Sequence, residues 1–290
     1  MGGVVVVLST PRAGSTWLSR VLRAHPQLDV HGQLTNDNHK LYLATPLRAL
    51  NPFGDDYVEF DRLSSGVSRA LRTRLLHALY RSNGDGRTVV LATPSTSVFV
   101  PLFLDAFPEA RYVHLHRNPL DVVASFRGFM AKNAEGFRDR FRTRSRHGRV
   151  EGARSVAVHG FHTLRWSRLP YPGYLATRPR GFQEASHLPE LDFLCWYYAE
   201  YEREIATALA HLPPGRCHEV RYEELVHDFE PTVRALLAFL GVEPTARFIE
   251  ETARTVRPDA VGKYRTSFSE QELDEVRRGL ARHGVEVGAP

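Results

Sequence analysis

The stretch Val4-Val5-Val6-Val7-Leu8-Ser9-Thr10-Pro11-Arg12-Ala13-Gly14-Ser15-Thr16-Trp17 joins an unbroken apolar run to a turn of small residues. Five consecutive apolar, mostly β-branched residues are the pattern of a strand buried on both faces, as in a parallel sheet. Trp17, Leu18, Val21 and Leu22 then recur at helical spacing until His25-Pro26 stops them. Strand, turn and helix therefore open the chain. In such a turn, main-chain N–H groups and the helix dipole converge on an anion. Gly14 permits close backbone approach, and Ser15 and Thr16 offer hydroxyls at the helix start. A plain connection with an N-cap would read the same way, so the turn alone does not decide between the two.

Working outward, residues 28–33, 88–92 and 111–116 read as further strands. Helical spacing appears at Val67, Leu71, Leu75 and Leu79, closed by Asn83-Gly84-Asp85-Gly86, and again at 99–106. Asn118-Pro119 supplies an N-cap and a first-turn proline for a helix from Leu120 to about Ala131. This alternation predicts an α/β fold of three layers: a parallel sheet flanked by helices, with ligands collecting beyond the carboxyl ends of the strands. From about 132 to 189 no periodicity holds, and Arg138, Arg140, Arg142, Arg144, Arg146 and Arg149 crowd one stretch. An irregular segment of that length inside a domain reads as a lid or binding loop. Regularity returns with a helix over 190–212, a strand over 217–222, a helix over 231–240 capped by Gly241, and a capping box, Ser269 to Glu272, before a last helix. With no repeat and no linker, residues 1–290 read as one domain carrying an insert at about 132–189.

The 290 residues are 42% hydrophobic, 10% aromatic and 24% charged, which excludes collagen-like, disordered and disulfide-scaffold classes. No apolar run is long enough to span a bilayer. The opening Met1-Gly2-Gly3 has neither the basic region nor the cleavage site of a secretory signal, so a cytoplasmic protein is expected. Cys195 and Cys217, the only cysteines, are too few for a disulfide framework or a thiolate zinc site. The net charge is +5, and because Lys40, Lys132 and Lys263 are the only lysines, anion recognition must use guanidinium groups. The arginine-rich insert admits nucleic-acid binding as a third option, but no nucleic-acid partner is expected.

A nucleotide-triphosphate loop would place a lysine after its last glycine and end a later strand in a magnesium-binding acid. Here Ser15 follows Gly14, Arg12 precedes it, and residues 112–116 run into Arg117. Guanidinium and hydroxyl groups in those places suit a leaving group stabilised without a metal. The segment His116-Arg117-Asn118-Pro119-Leu120-Asp121-Val122-Val123-Ala124-Ser125 supplies the second piece. With it, the sequence resembles the sulfotransferases that use 3'-phosphoadenosine 5'-phosphosulfate (PAPS), which share a P-loop-like fold. The resemblance extends to Arg221-Tyr222-Glu223-Glu224-Leu225 and Gly262-Lys263-Tyr264-Arg265, leaving only the insert and the termini outside.

The resemblance implies that Arg12, Ala13, Gly14, Ser15 and Thr16 hold the 5'-phosphosulfate. It assigns Arg117, Ser125 and Arg265, with Lys263 and Tyr264 in the same late loop, to the 3'-phosphate, and Trp17 and Tyr222 to the two sides of the adenine. It implies PAPS as cosubstrate, no metal, and a hydroxyl-bearing acceptor, including one held on a carrier. Two departures stand out. Relatives have a glutamate as general base where this chain has His31-Gly32-Gln33, and glutamine cannot take a proton. His31 shares a strand face with Gln33 and has the right chemistry for a base near neutrality, with His39 as a second candidate. Relatives also have a lysine where this chain has Ala92, leaving Arg12 as the main charge on the bridging oxygen. The function expected is sulfuryl transfer to a hydroxyl; a small-molecule kinase, or a PAPS-binding protein that has lost catalysis, remains the alternative.

Overall fold

In the computed structural model, which describes residues 3–31, 86–92, 97, 100–134 and 179–287, five strands form one sheet. They are β1 (Val4–Ser9), β2 (Leu28–His31), β3 (Thr88–Ala92), β4 (Arg111–His116) and β5 (Cys217–Arg221). Their order is β2-β3-β1-β4-β5 and every pairing is parallel. The helices are α1 (Ser15–Arg23), α2 (Val100–Ala106), α3 (Pro119–Ala134), α4 (Phe182–Ala185), α5 (Glu190–Leu209), α6 (Tyr222–His227), α7 (Phe229–Leu240), α8 (Ala246–Ala253), α9 (Tyr264–Ser267) and α10 (Glu270–Arg282), with a 3-10 turn at Pro258–Ala260.

The apolar run of β1 is explained by its central place. Side chains alternate across a strand, so Val6 and Leu8 join Val89, Leu91 and Tyr112 in a core beneath α2, α3, α5 and α10. Val5 and Val7 face the other way, with Val90, Val113 and Leu115, onto α1, α6, α7 and α8. A polar residue at any of these positions would be buried in one layer or the other. Leu8, fully buried, is worth about 2–5 kcal/mol against alanine.

Strands β3 and β4 have the bounds the sequence predicts. β2 is seen from Leu28 to His31, the last described residue there. The predicted helix around 67–79, Gln33, His39, Thr93, Pro94 and most of the arginine-rich insert lie outside the described residues. At the insert's margins, α3 continues to Ala134 and α4 makes a single turn after Gly181, at φ 76°. Tyr222 opens α6 instead of ending β5: Arg221 is still extended (φ −92°, ψ 132°), and Glu223 and Glu224 supply first-turn acids. α7 starts at Phe229, so Pro231 sits in its first turn, and Gly241 (φ 75°) ends it as expected. The capping box forms: Glu272 N–H donates to Ser269 Oγ at 3.2 Å and Ser269 N–H to Glu272 Oε2 at 2.9 Å. Both cysteines are free thiols, and among the described residues no helix is long and apolar enough to cross a membrane.

Candidate functional site

The loop after β1 lies at the carboxyl end of the central strand, between β3 and β4. Its backbone is bent by two residues of positive φ, Arg12 at 76° and Gly14 at 110°. For arginine this left-handed conformation costs about 1–3 kcal/mol, a strain that concentrates at ligand sites. Gly14 has a second reason to lack a side chain: a Cβ there would lie 2.5 Å from Cδ2 and 2.6 Å from Cε2 of Tyr222. The amides of Ser15 and Thr16 occupy the first turn of α1, where no intrahelical acceptor exists for them. Ser15 is buried, Thr16 exposed, and no acid stands in that first turn. The strand, turn and helix that open the sequence are therefore present, with Arg12 and Gly14 bending the turn.

Two guanidinium groups flank it. Arg12, exposed, stacks over the Phe129 ring at 4.8 Å and donates from Nε to Ser125 Oγ at 3.2 Å. Arg117 leaves the tip of β4, 9% exposed, and stacks over the Tyr222 ring at 4.5 Å. Its Nη1 donates to the Arg12 carbonyl at 3.0 Å and its Nη2 to the Ala260 carbonyl at 2.6 Å, while its buried Nε makes no hydrogen bond. The pKa of Arg12 is lowered, by partial burial first and then by the charge of Arg117. Two cations this close, one with an unsatisfied buried donor, make a site whose charge an anion would balance. The structure pairs Ser125 with Arg12 and not with Arg117, as the sequence had grouped it, and draws all three into one neighbourhood.

Residues 5–171 and 174–246 match the Sulfotransferase family. The chain belongs to that family. Its fold is shared with the sulfotransferase domain from the curacin biosynthetic pathway, at 17% identity over 99% of each chain with a TM-score of 0.50. Sulfotransferase STF9 from Mycobacterium avium is similar at 14% identity, over 100% of this chain and 79% of that one, with a TM-score of 0.50. Among curated proteins, an uncharacterized protein of Aquifex aeolicus (strain VF5) is 24% identical over 286 residues. That match takes in 97% of this chain but only 30% of the relative's length.

Around the loop of this family member the remaining residues fall into place unevenly. Trp17 and Tyr222 meet edge to face with centroids 5.7 Å apart, so they leave no slot between them for a base. Trp17 is half-buried against Phe229 and donates from Nε1 to Thr255 Oγ1 at 3.1 Å. The late loop approaches through its backbone: Asp121 accepts from Gly262 N–H at 2.8 Å and from Tyr264 N–H at 3.1 Å. Tyr264 is buried; Lys263 and Arg265 are exposed, Lys263 lying 3.7 Å from Asp259. His31 ends the visible part of β2 with Nε2 3.2 Å from Asp29 Oδ2. Its register sets it level with Leu91 and Val6, three residues short of the end of β1 and two strands away.

Sequence reasoning missed several partners. Asp121 stands inside the quoted motif, and its place two residues into α3 was the available signal. Phe129 and Thr255 had none. Nor did Glu202 on α5, whose Oε1 accepts from the Thr10 hydroxyl at 2.5 Å and so ties the loop to the helix beneath. Burial acts to raise the Glu202 pKa, but contacts from His114, His116 and Thr10 outweigh it and hold it at about 2.

Proposed function

We propose that the protein transfers the sulfuryl group of PAPS to a hydroxyl of its acceptor. The observation that supports this reading best is Arg117: a buried guanidinium at a strand tip, beside Arg12 and the α1 amides, with one N–H unspent. A donor with phosphates at both the 5' and 3' positions would engage the loop and Arg117 together, which a 5'-monophosphate cannot do. The strained Arg12 backbone and the Cβ-free face of Gly14 suit a loop closing on phosphate oxygens.

In the transfer, the acceptor oxygen forms a bond to sulfur as the bond from sulfur to the bridging oxygen breaks, and 3'-phosphoadenosine 5'-phosphate departs. Arg12, Ser15, Thr16 and the loop amides would meet the charge that grows on the departing phosphate, stabilisation that counts most in the transition state. Arg117, with Arg265 and Lys263 on either side of Tyr264 in the late loop, would hold the 3'-phosphate; Ser125 serves the same region through Arg12. The adenine would lie on the face of Trp17 turned away from Tyr222. His31 would take the acceptor proton at Nδ1, with the Asp29 carboxylate lying 3.2 Å from its Nε2. Its register, level with Leu91, asks the acceptor to reach down beside β3.

Calorimetry with adenosine 3',5'-bisphosphate and with ATP, each with and without magnesium, tests the donor. Preference for the bisphosphate, indifferent to magnesium, is expected; preference for magnesium-ATP would return the kinase reading. Transfer of radiolabelled sulfate from PAPS to a panel of hydroxyl compounds separates enzyme from binder. For the base, His31→Ala should cost about a hundredfold to ten-thousandfold in turnover with bisphosphate binding intact. Normal turnover with an unchanged acidic limb of the pH profile would remove His31 from the reaction.

A further inference from the structure

Under the donor loop, on the sheet face covered by α5, three side chains converge that the transfer does not use. His114 and His116 lie two residues apart on β4 and so share a face. Their rings are 3.6 Å apart between centroids, and Glu202 of α5 lies against both. His114 Nε2 is 3.2 Å and His116 Nδ1 3.7 Å from the same oxygen, Glu202 Oε2. One ligand atom from each residue falls within 4.8 Å of the others. His114 is 4% exposed, yet its Nε2 makes no hydrogen bond: the carboxylate is near but off the line of a ring N–H.

Those distances also leave room for an ion between the groups. Metal–nitrogen and metal–oxygen bonds of about 2.0–2.2 Å put neighbouring ligands of a tetrahedron about 3.4 Å apart, and 3.2 and 3.7 Å straddle that edge. The outer contacts agree. The second carboxylate oxygen, Oε1, is taken by Thr10, and the second nitrogen of His116, Nε2, faces Glu219 Oε2 at 3.9 Å. A partner on the far atom of a ligand orients it, as Thr10 does for Glu202.

We propose that His114, His116 and Glu202 form a site for a zinc-class divalent transition-metal ion, with three protein ligands and one open position. Two imidazoles and a carboxylate are a borderline donor set, suited to zinc or cobalt and poor for magnesium or calcium, which take oxygen. The ion takes no part in the transfer. By fixing Glu202 Oε2 it fixes the carboxylate whose other oxygen holds Thr10, and so clamps the donor loop to α5.

The test uses the full chain, stripped with a chelator and titrated with Co2+ alone. Expected is a visible absorption of tetrahedral Co2+ that saturates at one equivalent, is displaced by Zn2+, and accompanies a rise in melting temperature, since a ligand of the folded state stabilises it. Glu202→Gln and the milder His116→Asn should each abolish that spectrum while circular dichroism shows a folded chain. Thr10→Val should weaken Co2+ binding about tenfold. No such spectrum from folded wild type, or the same spectrum in a folded variant of either kind, overturns the site.

Discussion

The loop of residues 10–16 and the segment of residues 258–265 both touch Arg117, and they are held in different ways. The loop is bent by positive φ at Arg12 and Gly14 and by a turn from Ala13 N–H to the Thr10 carbonyl at 3.1 Å, leads into α1, and is tied outward by Arg117 at the Arg12 carbonyl and by Glu202 at Thr10. The late segment is one 3-10 turn and a single turn of helix, held from outside by Asp121 and by Arg117 at the Ala260 carbonyl. The bend of the loop depends on two residues of positive φ; the attachment of the late segment depends on the Asp121 and Arg117 side chains.

The sharpest way to break this contrast is Gly14→Ala. Its Cβ would collide with Tyr222, which underlies Arg117, in a conformation alanine avoids. We expect a loss of about 2–4 kcal/mol, read as a lower melting temperature and at least tenfold weaker bisphosphate binding. Normal binding would mean that the loop is not held by that close approach. Arg117→Ala comes next, joining the two regions: about 1.5–3 kcal/mol of adenosine 3',5'-bisphosphate affinity should go, with adenosine 5'-phosphate nearly unchanged. Equal losses for both ligands in calorimetry would take Arg117 out of the 3'-phosphate site.

Asp121→Asn acts on the late segment alone. It keeps one acceptor and loses the other, so bisphosphate affinity should fall about three- to tenfold while turnover at saturating donor stays put. A fall in saturated turnover would show that the segment serves the chemistry and not only retention. Lys263→Ala should matter least, below about 1 kcal/mol in the same titration, because its ammonium is half exposed and its ion pair with Asp259 is loose. A larger loss would show the lysine reaching the ligand.

The contrast also explains what could be read from sequence. β1, β3 and β4 are local apolar runs whose burial on two faces leaves a mark at every residue, and Gly14, Asn118, Gly241 and Ser269 act within a few residues of themselves. The strand, turn and helix around Gly14 were legible for that reason. What depends on distant segments was not: Glu202 reaches Thr10 across 192 positions and Asp121 holds amides more than 140 positions on. α8 escaped notice because its start signal is a single threonine, Thr245, whose side chain accepts from Phe248 N–H. The aromatic pair misled because type and spacing do not tell whether two rings face each other across a gap or touch.

The position of β1 in the sheet bears on how the protein is made. Its two neighbours lie far downstream: Val5 pairs beside Val90 and Arg111. At a synthesis rate of 5–20 residues per second, the first neighbour follows by about 4–17 s, during which Val4-Val5-Val6-Val7-Leu8 has no permanent partner. Such a segment, apolar, β-branched and free of charge or proline, is what edge pairing between nascent chains selects. The strand that leads into the loop of residues 10–16 in the finished molecule is thus an aggregation hazard while the chain is still being made.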